Sequence, residues 1–302
     1  MGSILIGLIP ALGWGFQGIV MQKIGGTTAN KQMGMVLTAL AMSIVVALVD
    51  PVVWSPALVA AAAVNGIPWA IAQILQIKSF DYLGVSRAMP LTSGMQLVLT
   101  SVIGAFYFGE WPYAWQMGVG FAGIALIIVG TMLTTYTESG SGQETTSKAD
   151  IRKGVIITAI SSALYVAYAT AARFFNVDSF QILLPQALFM LAATIVISIV
   201  VSRRDSVDGV FGRTEGVFGL KSWQNMLTGV LWSIANITVL FSNQVNGVAV
   251  GWTLANMNLI FATLGGLFIL HEKKTPKELR FVILGMVLIA AGGIAIGATK
   301  LG

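Results

Sequence analysis

The chain has no cysteine among its 302 residues and a single histidine, His271. Disulfides, thiol catalysis and cysteine-ligated metals are therefore excluded, and one histidine cannot build a histidine metal site by itself. Charge is scarce as well. Only 10% of residues are Asp, Glu, Lys or Arg, where a soluble domain carries about 25%. There is no P-loop, no HExxH pair and no cluster of carboxylates within an apolar run, so no catalytic constellation emerges. The reading is of a non-enzyme without metal or cofactor.

What is abundant is apolar surface. Hydrophobic residues make up 56% of the chain and the mean hydropathy is +0.83. That leaves too little polar surface to cover a water-soluble globule, so the expected class is an all-α integral membrane protein. Ten continuous apolar segments can be marked, at about 3–22, 33–49, 57–77, 85–108, 113–136, 153–174, 182–201, 223–242, 248–270 and 278–298. Each approaches the roughly 20 residues of a spanning helix. Barrel strands would instead alternate over about ten residues. Only Met1, Gly2 and Ser3 precede the first segment. It lacks the positive start of a signal peptide and reads as a retained helix.

The net charge of +5 is explained by its placement. Of the 17 basic residues, 15 fall in the odd-numbered loops, leaving Arg173 and Lys300 on the other side. By the positive-inside rule those loops are cytoplasmic and both termini are extracellular. No nucleic-acid partner is needed to account for the basic residues.

The polar stretch Thr137–Asp150 divides the chain. The expected organisation is a five-helix repeat over 1–136, a cytoplasmic linker over 137–152, and a second five-helix repeat over 153–302. Five is odd, so the repeats insert with opposite orientation. Internal similarity supports the division. Gly104, Ala105, Phe106 and Glu110 fall 162 positions before Gly266, Leu267, Phe268 and Glu272. Gly123 and Gly130 correspond in the same way to Gly285 and Gly292. The ten residues from Asn65 align with the ten from Thr228, with half of the positions identical and Gln73 opposite Asn236. Two five-helix halves of this kind are a transporter pattern. The other long polar stretch, Ser202–Lys221, reads as a solvated cytoplasmic loop.

Inside the spans the polar groups are amides and aromatics. Trp14 and Gln17 are three apart; Trp69, Gln73 and Gln76 share a helix face; Trp232 and Asn236 are one turn apart, as are Trp252 and Asn256. Tyr165 and Tyr168 are three apart, and Gln96 and Asn258 occupy equivalent places in the two repeats. Amides exposed to lipid are costly, so these side chains should face other helices or a wet cavity. They could be interhelical glue or a binding surface. Rings that pack on a C–H face beside amides that bond hydroxyls suit a neutral polyol. The candidate substrate-binding residues are Trp14, Gln17, Trp69, Gln73, Gln96, Tyr165, Trp232, Asn236 and Asn258. Glu110 and Glu272 sit at hairpin turns, where a carboxylate can cap neighbouring backbone or pair with a basic residue; Glu110, with apolar neighbours, is the candidate proton carrier, and Glu272, beside His271, Lys273 and Lys274, the candidate structural ion-pair partner.

The runs Gly94-Met95-Gln96-Leu97 with Gly109-Glu110-Trp111, and Thr263-Leu264-Gly265-Gly266 through Glu272-Lys273-Lys274, are similar to the bacterial glucose/ribose uptake family of sugar transporters, within the drug/metabolite transporter superfamily. Ile9-Pro10-Ala11-Leu12-Gly13-Trp14-Gly15 and Lys23-Ile24-Gly25-Gly26 fit as well. The resemblance implies a central cavity bounded by segments 1, 3, 4, 6, 8 and 9. It also implies import of a monosaccharide, glucose or ribose, by proton symport. The expected partners are that sugar, protons and membrane lipid, with no obligate protein partner. The alternatives are an exporter of amino acids or other metabolites, and a non-transporting membrane receptor.

Overall fold

A computed structural model of the chain describes residues 2–136, 138, 147–246, 254–255 and 257–299. The described residues form helices and turns only. In order they are α1 (Gly2–Ile24), α2 (Thr28–Val49), α3 (Pro56–Leu83), α4 (Val85–Phe106), α5 (Ala114–Thr134), α6 (Lys148–Phe174), α7 (Leu183–Asp205), the single turn α8 (Leu220–Gln224), α9 (Met226–Asn246), α10 (Asn258–Phe268) and α11 (Pro276–Ala298). Eight of them are long and apolar enough to cross a membrane. With α9, 21 residues long, and α10, a shorter apolar helix, every expected segment holds a described helix.

The boundaries shift where caps decide them. Helix α2 starts earlier than expected because Thr27 caps it, its hydroxyl accepting from the Asn30 N–H while Asn30 Oδ1 accepts from the Thr27 N–H. Thr275 and Glu278 form the same reciprocal cap on α11, ahead of Pro276. Helix α6 begins at Lys148, inside the expected linker. The ninth segment is described as helix over α10; Trp252 and Asn256 lie outside the described residues.

The chain forms two compact units, and α1, α3, α6 and α9 each continue from one into the other. Both units draw on both halves of the sequence. The first holds residues 1–19, 79–163 and 234–302. Its frame is the crossing of α5 with α11. A Cβ on Gly130 would lie 2.6 Å from the Gly285 carbonyl oxygen, and one on Gly123 would lie 2.8 Å from that of Gly292. Only glycine allows the backbones this approach. Ile127 and Ile289, both fully buried, fill the space beside them. Pro90 lies within α4 and cannot donate to the Ser86 carbonyl one turn back. That oxygen accepts instead from the Thr263 hydroxyl at 3.4 Å. Gly94 is a close-packing position, since a Cβ there would meet the Thr131 hydroxyl.

The second unit holds residues 20–78 and 164–233. Gly66 of α3 meets the Gln186 carbonyl oxygen of α7, and Gly229 of α9 meets Thr38 of α2. The amide of Gln32 donates to the Thr194 hydroxyl at 3.1 Å. The polar stretch after α7 is more ordered than a solvated loop. It folds on its own backbone and docks against the start of α2. Asn30 Nδ2 donates to the Gly216 carbonyl at 2.9 Å and to Ser222 Oγ at 2.9 Å, and Lys221 Nζ donates to the Ile24 carbonyl at 2.7 Å.

Candidate functional site

In the second unit, Asn65, Trp69, Gln73 and Gln76 form a stripe along α3, where a helix brings every third or fourth residue to one face. Trp232 of α9 packs on Trp69, with ring centroids 4.9 Å apart and planes at 58°. The two indoles cover one another, and Trp69 has no exposed surface. They are equivalent in the two aligned decapeptides. The Tyr165 hydroxyl of α6 lies between two amides, in short contact with Gln73 Oε1 and 2.8 Å from Gln76 Oε1. A phenol has one proton, so it can donate to only one of these two amide oxygens at a time. Asn65 Nδ2 donates to the Tyr168 carbonyl at 2.9 Å. Two polar atoms of this stripe, Gln73 Nε2 and Asn65 Oδ1, are buried without a hydrogen-bond partner among the described residues. Such atoms are costly in a dry interior and are the natural places for an incoming hydroxyl.

In the first unit are Trp14 and Gln17 on α1, Gln96 on α4, Asn236 on α9 and Asn258 on α10. Gly15 brings α1 against α10: a Cβ there would be 2.9 Å from the Asn258 carbonyl oxygen. The Ser93 hydroxyl of α4 donates to Asn258 Oδ1 at 3.5 Å. Gln17 is buried, and its Oε1 has no hydrogen-bond partner among the described residues. Trp14, Gln96 and Asn236 are half-buried. Gln76, Asn65 and Ser93 were not among the selected residues. Extending the α3 face by one turn each way would have found the first two, and Ser93 sits one turn before Gln96.

All of these side chains are neutral. Charged groups lie at helix ends. Arg87 pairs with Glu278 at 3.2 Å. Glu272 takes the capping alternative, as a helix cap. Its carboxylate accepts from the Val85 N–H at 2.7 Å, the Ser86 N–H at 3.2 Å and the Ser86 hydroxyl. Lys274, half-buried beside it, has its pKa lowered to about 8, by burial first and then by the Arg87 charge. Glu110 ends a hairpin with the same backbone pattern. Its N–H bonds the Gly104 carbonyl at 2.9 Å, as that of Glu272 bonds Gly266 at 3.0 Å. Gly109 and His271, equivalent residues, both have positive φ, +62° and +54°. No group of three or more metal-ligating acidic, histidine or cysteine residues occurs among the described residues.

The deep polar groups of these helices are amides, hydroxyls and indoles. Residues 5–299 match the family described as sugar transport protein, and the chain belongs to that family. It is 38% identical over 298 residues to a Listeria monocytogenes protein named for sugar uptake, covering 99% of each chain. It is 33% identical over 300 residues to a Bacillus cereus protein named for glucose uptake, covering 99% of this chain and all of that one. It is 35% identical over 295 residues to a Latilactobacillus sakei protein named for ribose uptake, covering 96% of each. A solved crystal structure superposes with a TM-score of 0.61 over 99% of this chain and 97% of that one. At 17% identity it is similar in fold alone.

Proposed function

We propose that the protein is a secondary transporter that imports a neutral monosaccharide, glucose or ribose, across the cell membrane by alternating access. The observation that carries the reading is three buried, uncharged amide atoms on the candidate residues and their α3 neighbour that have no hydrogen-bond partner among the described residues: Gln73 Nε2, Asn65 Oδ1 and Gln17 Oε1. A sugar hydroxyl is both donor and acceptor and can serve either kind of atom. The names of the sugar, glucose and ribose uptake relatives agree with it. Trp14, Gln17, Trp69, Gln73, Gln96, Tyr165, Trp232, Asn236 and Asn258 are the proposed contacts. The proposed architecture is two inverted five-helix repeats with both termini outside. The matched hairpins at Glu110 and Glu272, the contact between the equivalent Trp69 and Trp232, and the reciprocal approach of Gly123 to Gly292 and of Gly130 to Gly285 support the repeats.

Glu110 is the proposed proton carrier. A second reading for it comes from the hairpins: Glu272 caps a helix, and Glu110 stands in the same backbone setting. Uptake of labelled glucose and ribose into proteoliposomes tests the whole scheme. Saturable sugar flux is expected, with Gln73→Ala and Asn236→Ala weakening affinity about three- to twelve-fold, the worth of one neutral hydrogen bond. Flux of amino acids alone favours the exporter, and no flux of any solute the receptor. With Glu110→Gln, accumulation driven by a pH gradient should vanish while sugar exchange persists. Loss of thermal stability with intact accumulation would assign the residue to capping.

A further inference from the structure

The segment between α7 and α9 carries an unusual surface. Val207 and Phe211 are 95% and 92% exposed, and Phe218, Leu220 and Trp223 are at least half exposed. In a solvated loop, five large apolar side chains held in water are hard to account for. The segment is also pre-shaped. Val217 N–H bonds the Val210 carbonyl at 2.8 Å, Leu220 N–H bonds that of Arg213 at 2.8 Å, and Lys221 N–H bonds that of Thr214 at 3.0 Å. The indole N–H of Trp223 donates to the Phe218 carbonyl at 3.0 Å. These apolar groups are thus displayed by a fixed scaffold.

Its charges are sorted. Asp208 is turned onto the segment's own backbone, accepting from the N–H groups of Thr214 at 2.9 Å and Glu215 at 3.1 Å. Glu215 Oε2 accepts from the Val207 N–H at 3.4 Å. Arg203, Arg204 and Arg213 are exposed. So the guanidinium groups face outward, interleaved with aromatic side chains, while two of the acidic groups are engaged internally. Both ends of the segment are tied to apolar helices: Asp205 ends α7, and Met226 begins α9. The covalent neighbourhood therefore holds it near the bilayer surface. Arginine with Trp and Phe is the composition that suits the headgroup zone, where rings bury their edges and cations meet phosphate.

We propose that residues 203–223 form an interfacial anchor for anionic lipid: Val207, Phe211 and Trp223 enter the headgroup region, and Arg203, Arg204 and Arg213 bind lipid phosphates. The inference rests on the membrane-spanning helices alone and is independent of the substrate and of proton coupling.

The cysteine-free chain allows a direct test. A nitroxide is attached to Val207→Cys in the full-length protein. The protein is reconstituted in phosphatidylcholine vesicles and in vesicles mixed with phosphatidylglycerol. Collision rates with oxygen, which partitions into lipid, and with a water-soluble nickel chelate report depth. The oxygen-to-nickel ratio is expected to rise several-fold when phosphatidylglycerol is present. It should fall back in the R203Q/R204Q/R213Q variant, and separately in Phe211→Ser. High salt on the unsubstituted loop should lower it too, without any change of fold, because a Debye length of about 3 Å at 1 M screens the arginines. Equal nickel access in both lipid mixtures would overturn the proposal. So would spin–spin coupling between neighbouring copies that ignores lipid charge, or immobilisation only on adding a soluble protein.

Discussion

Glu272→Gln is the perturbation that isolates one structural role most cleanly. Helix α4 is preceded by Gly84, which has φ +72° and no side chain to cap the helix. The first donors of α4 are instead satisfied from 187 residues away, by the Glu272 carboxylate on the Val85 N–H. Glutamine preserves the shape but turns an NH2 group toward donors and removes the charge. Hydrogen bonds to a charged acceptor are worth about 1.5–3 kcal/mol against about 0.5–1.5 for a neutral one, a difference of about 1–2. The loss of a negative charge at a helix N-terminus adds about 0.3–1 kcal/mol. The expected destabilisation is therefore about 1–3 kcal/mol. Thermal unfolding of purified protein in detergent gives the total. Hydrogen exchange at Val85 and Ser86 gives the location, since protection should fall there first. An unchanged midpoint with unchanged protection at both amides would refute the capping argument.

Gly130→Ala should lose up to about 2 kcal/mol: the new Cβ meets the Gly285 carbonyl oxygen at 2.6 Å, and overpacking of about 1–3 kcal/mol exceeds the helix gain of about 1. Gly118→Ala, on the same helix with nothing within 4 Å, should gain about 1 kcal/mol; the two unfolding midpoints must move in opposite directions. His271→Gly should stabilise by about 1 kcal/mol by relieving the positive φ, read as a higher midpoint. The depressed Lys274 pKa of about 8 means the unfolded chain binds more protons above that value. Stability attributable to Lys274 should rise with pH from about 8 toward its ordinary value of 10.5, and that rise should be missing in Lys274→Met when midpoints are compared across this range.

Much of the fold was legible because apolar length and charge placement are written residue by residue. The glycines at 123, 130, 285 and 292 announced a helix crossing by their spacing, and the structure adds which carbonyl each one meets. What the sequence hid was set by distant partners. A cap or an ion pair could be expected of Glu272 from its place at a hairpin turn, but nothing local to it indicates that the helix it caps is α4. The polar stretch after α7 looked solvated because its docking partner, Asn30, is far away in sequence. At the candidate site, α3 periodicity identified Trp69 and Gln73, whereas the Ser93–Asn258 contact joins two helices whose register sequence alone does not specify.

The docking of the α7–α9 segment on Asn30 bears on biosynthesis. The Asn30 amide waits for Gly216, made 186 residues later. At about 5–20 residues per second, that is roughly 10–40 s of translation. Through that interval the Asn30 amide at the turn of the first helical hairpin lacks its final acceptors, and it must stay hydrated or be held by the insertion machinery. A chain truncated before residue 216 should keep its early helices in the bilayer yet expose this turn to proteases. Quality control at the membrane would then read completion of the seventh loop as a sign that the N-terminal hairpin has closed.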